Sequence, residues 1–258
     1  MATIIVATHK EYEMPKDEVY LPVQAGAACH ERLSYTGDDT GENISGKNDR
    51  YCELTALYWG WKNLDTDILG LCHYRRYLGN RKWWKKKKER ILTREEIRQM
   101  LEEAEAILPP KRHYWIETRE SQYIHAHHME DLVCIQEILR EKFPEYLPAW
   151  EQMLKSRSGH ICNMFIMRKE HFDTYCKWLF DILSEAEKRL DITGYTDNDR
   201  RVFGFLGERL LDVWMMTKQI RYREAGMITL EKQHWVNKGM AFIQRKIKAR
   251  QGNRPYLK

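Results

Sequence analysis

The tetrapeptide His-Tyr-Arg-Arg at His73–Arg76 places three potentially cationic side chains directly after the apolar run Asp67–Cys72. That run predicts a buried strand, so the cations are expected at its carboxyl end. Two guanidiniums and an imidazole can bind a diphosphate through bidentate hydrogen bonds and stabilise the charge on a leaving phosphate. The spacing alone is equally compatible with a solvated strand end that forms ion pairs with Asp65 or Asp67.

Carboxylates that could bind a hard cation occur at two places. Asp38, Asp39 and Glu42 lie in a segment dense in turn-forming residues, which predicts a structured polar loop. Asp65 and Asp67 precede the apolar run, whereas a metal–diphosphate site needs carboxylates where the strand ends. We therefore favour a turn for the second pair, and we expect no metal site there.

Three histidines at positions 125, 127 and 128 suggest a metal site. Their spacing is not that of a standard zinc signature, which needs three fixed ligands in a closed geometry. Polar residues at the start of a helix, one of them in contact with substrate, are the better interpretation.

A charged helix is predicted from Asp199 to Lys218. Glu208 lies seven residues after Arg201, so both side chains share one helix face, two turns apart. That face can direct a carboxylate and a guanidinium toward one cleft. An N-cap with a surface ion pair explains the pattern equally well.

Short apolar runs alternate with helical periodicity along the chain, which predicts an α/β fold with a mainly parallel central sheet flanked by helices. The predicted strands are Thr3–Thr8, Val19–Gln24, Asp67–Cys72, Ala104–Leu108, His160–Met167 and Ile220–Glu224. The predicted helices are Tyr51–Asn63, Thr93–Glu103, His128–Lys142, Glu170–Arg189 and Asp199–Lys218. Ligands of open α/β sheets bind at the carboxyl ends of the strands. The loops expected at the site are Thr8–Lys10, Gln24–Asn48, His73–Arg76 and the segment after Met167.

The composition excludes several classes of protein. The 258 residues are 43% hydrophobic and 31% charged with a net charge of +5, which is typical of a globular domain. Six cysteines without a C-x-x-C pair indicate buried thiols in a reducing cytosol. No run is long and apolar enough for a membrane span, and the start lacks the features of a secretory signal. We expect a cytoplasmic protein.

Basic charge is concentrated in two segments. Residues 231–258 contain eight Lys or Arg and one acid, whereas residues 81–90 contain seven and one, around Trp83 and Trp84. Within the first segment, apolar residues spaced by four, three and four positions (236, 240, 243 and 247) predict a basic amphipathic helix that can lie in a membrane interface. A helix packed on the body and a solvated tail remain alternatives.

Two other function classes fit part of the sequence. A basic nucleic-acid-binding module explains both basic segments but not polar loops gathered at predicted strand ends, and a near-neutral body disfavours it. A metal-dependent hydrolase rests on the three histidines and the acidic loops. We expect no nucleic-acid partner.

Taken together, the motifs resemble a family of bacterial capsular and exopolysaccharide glycosyltransferases once catalogued only as a domain of unknown function. The blocks that carry the resemblance are Asp39–Ser45 with Asn48, Tyr51–Asn63, Gly70–Tyr77, His128-x-x-Asp131, Asn163–Met167 and Arg201–Leu211. The resemblance implies one GT-A-like domain over residues 1–230, followed by the basic tail 231–258. It also implies transfer from a UDP-sugar, with galactose or galactofuranose favoured, to a glycan or polyprenyl-linked acceptor.

The resemblance further implies roles for individual residues. His73, Arg75 and Arg76 would stabilise the leaving diphosphate, with Glu208 or Asp199 as catalytic base. The donor side would be lined by Thr8, His9, Gly26, Asp39, Asn43, Ser45, Asn48 and Arg201. His128 and Asp131 would orient sugar hydroxyls. The arginines stand where related enzymes hold a divalent metal, so we expect no cofactor, although Mn²⁺ or Mg²⁺ is not excluded. Peripheral contact with the anionic inner face of the plasma membrane completes the expectation.

Overall fold

The computed structural model describes residues 1–231. The amphipathic helix predicted within residues 236–249 therefore lies outside the described residues. The strands are β1 (Ala2–Thr8), β2 (Tyr20–Gln24), β3 (Thr36–Gly37), β4 (Ile68–His73), β5 (Arg76–Gly79), β6 (Ala106–Leu108), β7 (Arg112–His113), β8 (Ser158–Gly159), β9 (Phe165–Arg168), β10 (Tyr222–Glu224) and β11 (Gly226–Thr229). The α-helices are α1 (Asn48–Tyr51), α2 (Leu54–Asn63), α3 (Arg94–Glu103), α4 (Arg119–Ile124), α5 (Met129–Lys142), α6 (Leu147–Lys155), α7 (Lys169–Arg189) and α8 (Val202–Thr217).

The central sheet has the strand order β10-β6-β9-β4-β1-β2-β3, with β5 and β11 attached beside β4. β1 is parallel to both β2 and β4, and β10 is parallel to β6. β9 runs antiparallel to its neighbours β4 and β6. The expected α/β class, with a mainly parallel sheet flanked by helices, is confirmed.

Both faces of the central strands are buried. In β1, Ile4 and Val6 pack in one hydrophobic cluster, while Ile5 and Ala7 pack in another on the opposite face. This alternation follows from the two-residue period of a strand. Side chains of α2, α5, α6, α7 and α8 complete one cluster, and α3 covers part of the other. Near-continuous apolar runs are needed because neither face meets water.

The prediction for the segment after Met167 was wrong because of the direction of β9. A strand was expected over His160–Met167, but β9 is shorter and antiparallel, so its start lies at the carboxyl ends of β1, β2 and β4. Arg168 and the chain after it lie at the opposite edge, where Lys169 N donates to Asp67 O at 2.8 Å. Residues 160–164, before the strand, therefore approach the expected ligand edge.

The single helix predicted over Tyr51–Asn63 is two helices. The helix is interrupted at Cys52, which has a φ of 52°. Asn48 Nδ2 donates to the Cys52 carbonyl at 2.8 Å. Periodicity could not reveal the break, because Leu54 and Leu57 keep helical spacing after it. The break turns Cys52 and Glu53 out of the helix and toward the ligand edge.

A buried carboxylate organises the loop between β2 and α1. Asp38 is fully buried and accepts hydrogen bonds from Gly26 N at 2.9 Å, from Ala27 N at 3.0 Å and from the Ser45 hydroxyl. Gly26 has a φ of 71°, and a Cβ there would lie 2.5 Å from Asn48 Cγ, so glycine is required. The loop is thus held by its own polar groups.

We predict that Asp38→Ala lowers the free energy of unfolding by about 3 kcal/mol or more, because each buried donor left without an acceptor costs roughly 1–3 kcal/mol. Urea denaturation measures the change. Asp39→Ala is the matched control: this carboxylate pairs with the exposed Arg32 at 2.9 Å, so its loss should cost below about 1 kcal/mol. Equal effects of the two changes would contradict the assignment.

Candidate active site

A cleft of about 970 Å³ lies at the carboxyl ends of β1, β2 and β4. Three of the four expected loops border it. The predicted site residues that line it are Thr8, His9, Asn48, His73, Arg75, Arg76, Arg201 and Glu208. Parallel strands deliver their carboxyl ends to one edge, which explains why residues from distant parts of the chain meet here.

The cleft contains two guanidiniums with no carboxylate partner among the described residues. Arg75 lies 3.2 Å from Glu231, and Arg200 lies 3.0 Å from Asp49. Within residues 1–231, no carboxylate oxygen comes within 4.0 Å of the guanidinium of Arg76 or Arg201. Although burial opposes it, the charges of Glu53 and Glu208 raise the pKa of Arg201, which also donates to Cys52 Sγ at 3.1 Å. Guanidiniums that no carboxylate contacts can still form the paired hydrogen bonds that a diphosphate accepts.

His9 reports the electrostatic potential of the cleft. Burial lowers the pKa of this imidazole, and the charges of Arg75 and Lys10 lower it further. The Nε2 atom lies 3.3 Å from the Tyr74 hydroxyl, and the two rings pack edge to face. A neutral His9 at pH 7 can donate or accept a hydrogen bond, while the arginines around it carry the positive charge.

The backbone of Cys162 connects the cationic and acidic sides of the cleft. Its carbonyl accepts a hydrogen bond from His73 Nε2 at 2.6 Å, and its N–H lies near the Glu208 carboxylate, where it lowers the pKa of that group against the larger effect of burial. Cys162 and Asn163 both have positive φ, 74° and 44°, which is costly for residues with a Cβ. Such backbone strain, held by surrounding contacts, is typical of functional sites.

Glu208 and Glu53 form the acidic side of the cleft. Burial raises the pKa of Glu208, and the negative charge of Glu53 raises it further against the opposing effect of Arg209. Glu53 accepts from Asn163 Nδ2 at 2.8 Å and lies 3.9 Å from His73 Nε2. Glu208 is therefore the carboxylate better able to accept a proton, because a raised pKa makes it the stronger base.

Buried ion pairs fix the helix that carries Glu208. Asp212, one turn further along α8, accepts from Arg119 and from His160. Arg209 is buried against the Tyr123 ring and donates to Gln122 Oε1 at 2.9 Å. These contacts fix the position of α8 along its axis and its rotation about that axis, so that Glu208 faces the cleft.

Several predicted donor-side residues lie outside the cleft lining because they build the adjacent loop. Gly26 and Ser45 bond to Asp38 as described above. Both carboxylate oxygens of Asp39 accept from Arg32, each at 2.9 Å, and Asn43 bonds to Gly41 and Ser45 within its own loop. These residues stabilise the loop beside the cleft, and they do not line the cleft themselves.

Asp199, the alternative base, is committed to other partners. Although burial opposes it, hydrogen bonds from Thr196 and His127 lower the pKa of this carboxylate. The bonds are 2.7 Å from the Thr196 hydroxyl and 3.0 Å from His127 Nδ1. A carboxylate with a lowered pKa that does not line the cleft is a poor candidate for proton transfer, which leaves Glu208.

The expected acceptor contact of Asp131 is not supported by its position. Its carboxylate is buried and accepts from the Tyr123 and Tyr195 hydroxyls, both at 2.7 Å. Tyr195 in turn stacks on His128 with ring centroids 4.0 Å apart. Asp131 therefore supports this aromatic pair from beneath and cannot bond directly to a sugar hydroxyl, whereas His128 remains partly exposed.

The histidines considered as metal ligands pair with two different carboxylates. His125 Nδ1 lies 2.9 Å from Glu117, whereas Asp199 lies 3.0 Å from His127 Nδ1 and 3.7 Å from His128 Nε2. In the part of the chain that the structure describes, no three His, Cys, Asp or Glu side chains are arranged to hold a metal ion. The expectation that the protein works without a metal ion stays a prediction.

Sequence patterns missed Glu53 and Cys162 as functional residues. Glu53 was treated as an ordinary position of a continuous helix, and Cys162 as part of a buried strand. The only signal was indirect: Asn163, a polar residue that also tolerates positive φ, interrupts the apolar run before β9.

We predict that Glu208→Gln increases the free energy of unfolding at pH 7.5. The folded-state pKa is raised above the ordinary value of 4.5, so at pH values between the two the folded state holds a proton that the unfolded state has lost. Stability of the wild-type protein therefore falls as pH rises from the ordinary value through the raised one. The free energy of unfolding of the glutamine variant does not fall in this way. The difference in this free energy between variant and wild type should therefore shrink as pH is lowered toward 4 in urea titrations.

Glu185→Gln provides a control of opposite sign. Hydrogen bonds from Lys142 and Arg189 lower the pKa of Glu185 to about 2, so its ionised form stabilises the fold at neutral pH. This variant should be less stable than wild type at pH 7.5. A loss of stability for Glu208→Gln as well would indicate that Glu208 is a structural ion-pair partner.

Known structures and protein families provide independent comparisons. The fold is similar to the apo structure of WbbM, described as a bifunctional glycosyltransferase, with a TM-score of 0.81 and 29% sequence identity. The match covers 90% of this chain but 45% of WbbM, so this chain spans less than half of that protein. No curated protein matches the chain.

A family model matches residues 3–219, which are most of the described chain. The matched range includes both the His73–Arg76 strand end and Glu208. The resemblance inferred from the motifs is confirmed at this level: the chain belongs to the family described as the domain of unknown function DUF4422.

Proposed function

We propose that the protein is a nucleotide-sugar-dependent glycosyltransferase. The observation that carries the proposal is the presence, in one cleft, of two guanidiniums that no carboxylate of the described residues contacts and a half-buried carboxylate of raised pKa. Transfer of a sugar from a nucleoside diphosphate needs both, since a diphosphate leaves as an anion and the acceptor hydroxyl loses a proton. Similarity to WbbM supports the same class of reaction.

On the donor side, Arg76 and Arg201 bind the diphosphate and compensate the charge that develops as the glycosidic bond breaks. His73, Arg75 and His9 extend this cationic wall. The Nε2–H of His73 is already directed to the Cys162 carbonyl, so its Nδ1 side is the one available to other groups. The arginines thereby supply the positive charge that a divalent metal supplies elsewhere. We propose transfer without a metal, which turnover in EDTA would test.

On the acceptor side, Glu208 acts as the base of an inverting displacement. The acceptor oxygen forms a bond to the anomeric carbon while the bond from that carbon to the diphosphate oxygen breaks. The electron pair leaves on the diphosphate, and the hydroxyl proton passes to Glu208. The N–H of Cys162 lies near this carboxylate and favours its ionised form.

The finer identity of the substrates follows from the family resemblance. We propose a UDP-sugar donor, with galactofuranose favoured among hexoses, and a glycan or polyprenyl-linked acceptor in capsular or exopolysaccharide synthesis. Peripheral attachment at the inner face of the plasma membrane would bring the cleft to such an acceptor. Among the helices of the described residues, none has the length and apolar character that a bilayer span requires.

The rival functions have weaker support. A nucleic-acid backbone carries a phosphate at every nucleotide and is disfavoured in a cleft with six acidic side chains, whereas a single diphosphate needs only the cationic side of that cleft. Those acids are Glu11, Glu31, Asp49, Glu53, Asp197 and Glu208. For a metal-dependent hydrolase, no three His, Cys, Asp or Glu side chains of the described residues are arranged to hold a metal ion, and His125 pairs with a different carboxylate from His127 and His128.

We predict that UDP binds the purified protein and that Arg76→Ala or Arg201→Ala weakens it. Loss of a charge-assisted hydrogen bond costs about 1.5–3 kcal/mol, or roughly 10- to 150-fold in Kd. Isothermal titration calorimetry measures the change. Arg221→Ala is the matched control, because this exposed arginine lies at the opposite edge of the sheet and pairs with Glu105 at 3.3 Å. Unchanged affinity in both cleft variants, with the fold intact, would refute the proposed donor site.

A further inference from the structure

A second cavity, of about 830 Å³, lies outside the cleft. It is bounded by residues 12–17, after β1, and by residues 86–93, between β5 and α3. Its walls are mostly apolar, and the apolar side chains among them are Tyr12, Met14, Tyr20, Ile91, Leu92 and Leu230. A concave apolar space of this size is suited to an elongated hydrocarbon group.

The rim of this cavity carries a small excess of positive charge. Four lysines (Lys16, Lys86, Lys87 and Lys88) and three acidic residues (Glu13, Asp17 and Glu89) border it. Lys88 pairs with Glu13, and Lys87 Nζ donates to the Thr229 carbonyl at 2.8 Å. Lys16 and Lys86 have no ion-pair partner among residues 1–231, so they can compensate a charge brought by a ligand. The combination of apolar walls and a cationic rim matches an amphiphile with an anionic head.

Two exposed tryptophans precede the rim lysines in the same segment. Trp83 is 80% exposed and Trp84 is 68% exposed, with ring centroids 6.0 Å apart and planes nearly perpendicular. We call residues 81–90 the Trp–Lys loop. Two large apolar rings in water are unfavourable, whereas tryptophan is favoured where hydrocarbon meets the lipid headgroups. Lysines beside them would meet the phosphates of an anionic leaflet.

We propose that the Trp–Lys loop and the cavity beneath it form a binding site for anionic phospholipid. One acyl chain occupies the apolar cavity, the headgroup phosphate lies on Lys16 and Lys86, and Trp83 and Trp84 insert at the membrane interface. This site is separate from the basic tail considered above, and it does not depend on the proposed transfer reaction.

The basic tail is a less suitable occupant of the cavity. Residues 232–258 contain eight basic and no acidic residues. The Trp–Lys loop carries seven basic residues and one acid. Two segments of like charge repel each other, whereas an anionic lipid is attracted to both.

The position of the site links it to the cleft. Tyr12 lines the cavity, and its ring packs edge to face on Tyr74, which lines the cleft, with centroids 5.2 Å apart. The two spaces are thus separated by one aromatic wall. Lipid bound at the cavity would hold the opening of the cleft close to a membrane surface.

Brominated lipids test the proposal, because bromine quenches tryptophan fluorescence only where the ring enters the bilayer. The full-length chain is mixed with vesicles of phosphatidylcholine and brominated phosphatidylglycerol, or with phosphatidylcholine alone. We expect quenching with the anionic vesicles and at least half of it to be lost in Trp83→Ser/Trp84→Ser. The matched control is Trp115→Ser, since Trp115 is 84% exposed on another loop.

Retention of quenching in Trp83→Ser/Trp84→Ser would overturn the proposal and assign membrane contact to the tail, which contains Trp235. A second pair of variants tests the charges by vesicle sedimentation at low salt. Lys16→Gln/Lys86→Gln should weaken binding at least tenfold, at about 1 kcal/mol for each lysine. Lys177→Gln/Lys188→Gln, on α7 and 70% and 72% exposed, should not. Equal binding by both pairs would also contradict the site.

Discussion

The candidate site depends on the contacts that the Cys162 backbone makes with both sides of the cleft. One residue accepts a hydrogen bond from His73 through its carbonyl, and its N–H lies near the Glu208 carboxylate, where it lowers the pKa of that group against the larger effect of burial. The cationic strand end and the acidic helix are therefore held at a fixed separation by a single peptide segment. That segment can reach both only because β9 is antiparallel and enters the sheet at the ligand edge. Its left-handed conformation is costly, and burial around Asn163 maintains it.

The same arrangement places unfavourable charges where the proposed chemistry needs them. Burying Glu208 beside Glu53 raises its pKa, and leaving Arg76 and Arg201 without carboxylate partners forgoes ion pairs that would stabilise the fold. The surrounding structure compensates elsewhere. Asp212 binds Arg119 and His160 in the core, and large hydrophobic clusters bury both faces of the sheet. A stable framework that carries a locally unfavourable site is the general pattern of enzymes.

Sequence patterns were sufficient to predict the features of the candidate site that depend on local chemistry. The His73–Arg76 strand end and the shared face of Arg201 and Glu208 were found because strand ends and helical spacing follow simple geometric rules. The direction of β9 was not predictable, since a short apolar run has the same pattern in either direction. Polar loops were also ambiguous: Asp39 bonds to its neighbours, and a loop that binds itself looks in sequence like one that binds a ligand.

The most direct test of this account is a comparison of turnover and donor binding in Glu208→Gln. With a UDP-sugar donor and a saturating acceptor, the account expects kcat to fall by about 10² or more while the Kd for UDP changes less than about twofold. Asp49→Asn is the control, since this carboxylate borders the same cleft but pairs with Arg200 at 3.0 Å. Wild-type turnover in Glu208→Gln, or the same loss in Asp199→Asn instead, would contradict the assignment of Glu208 as the base.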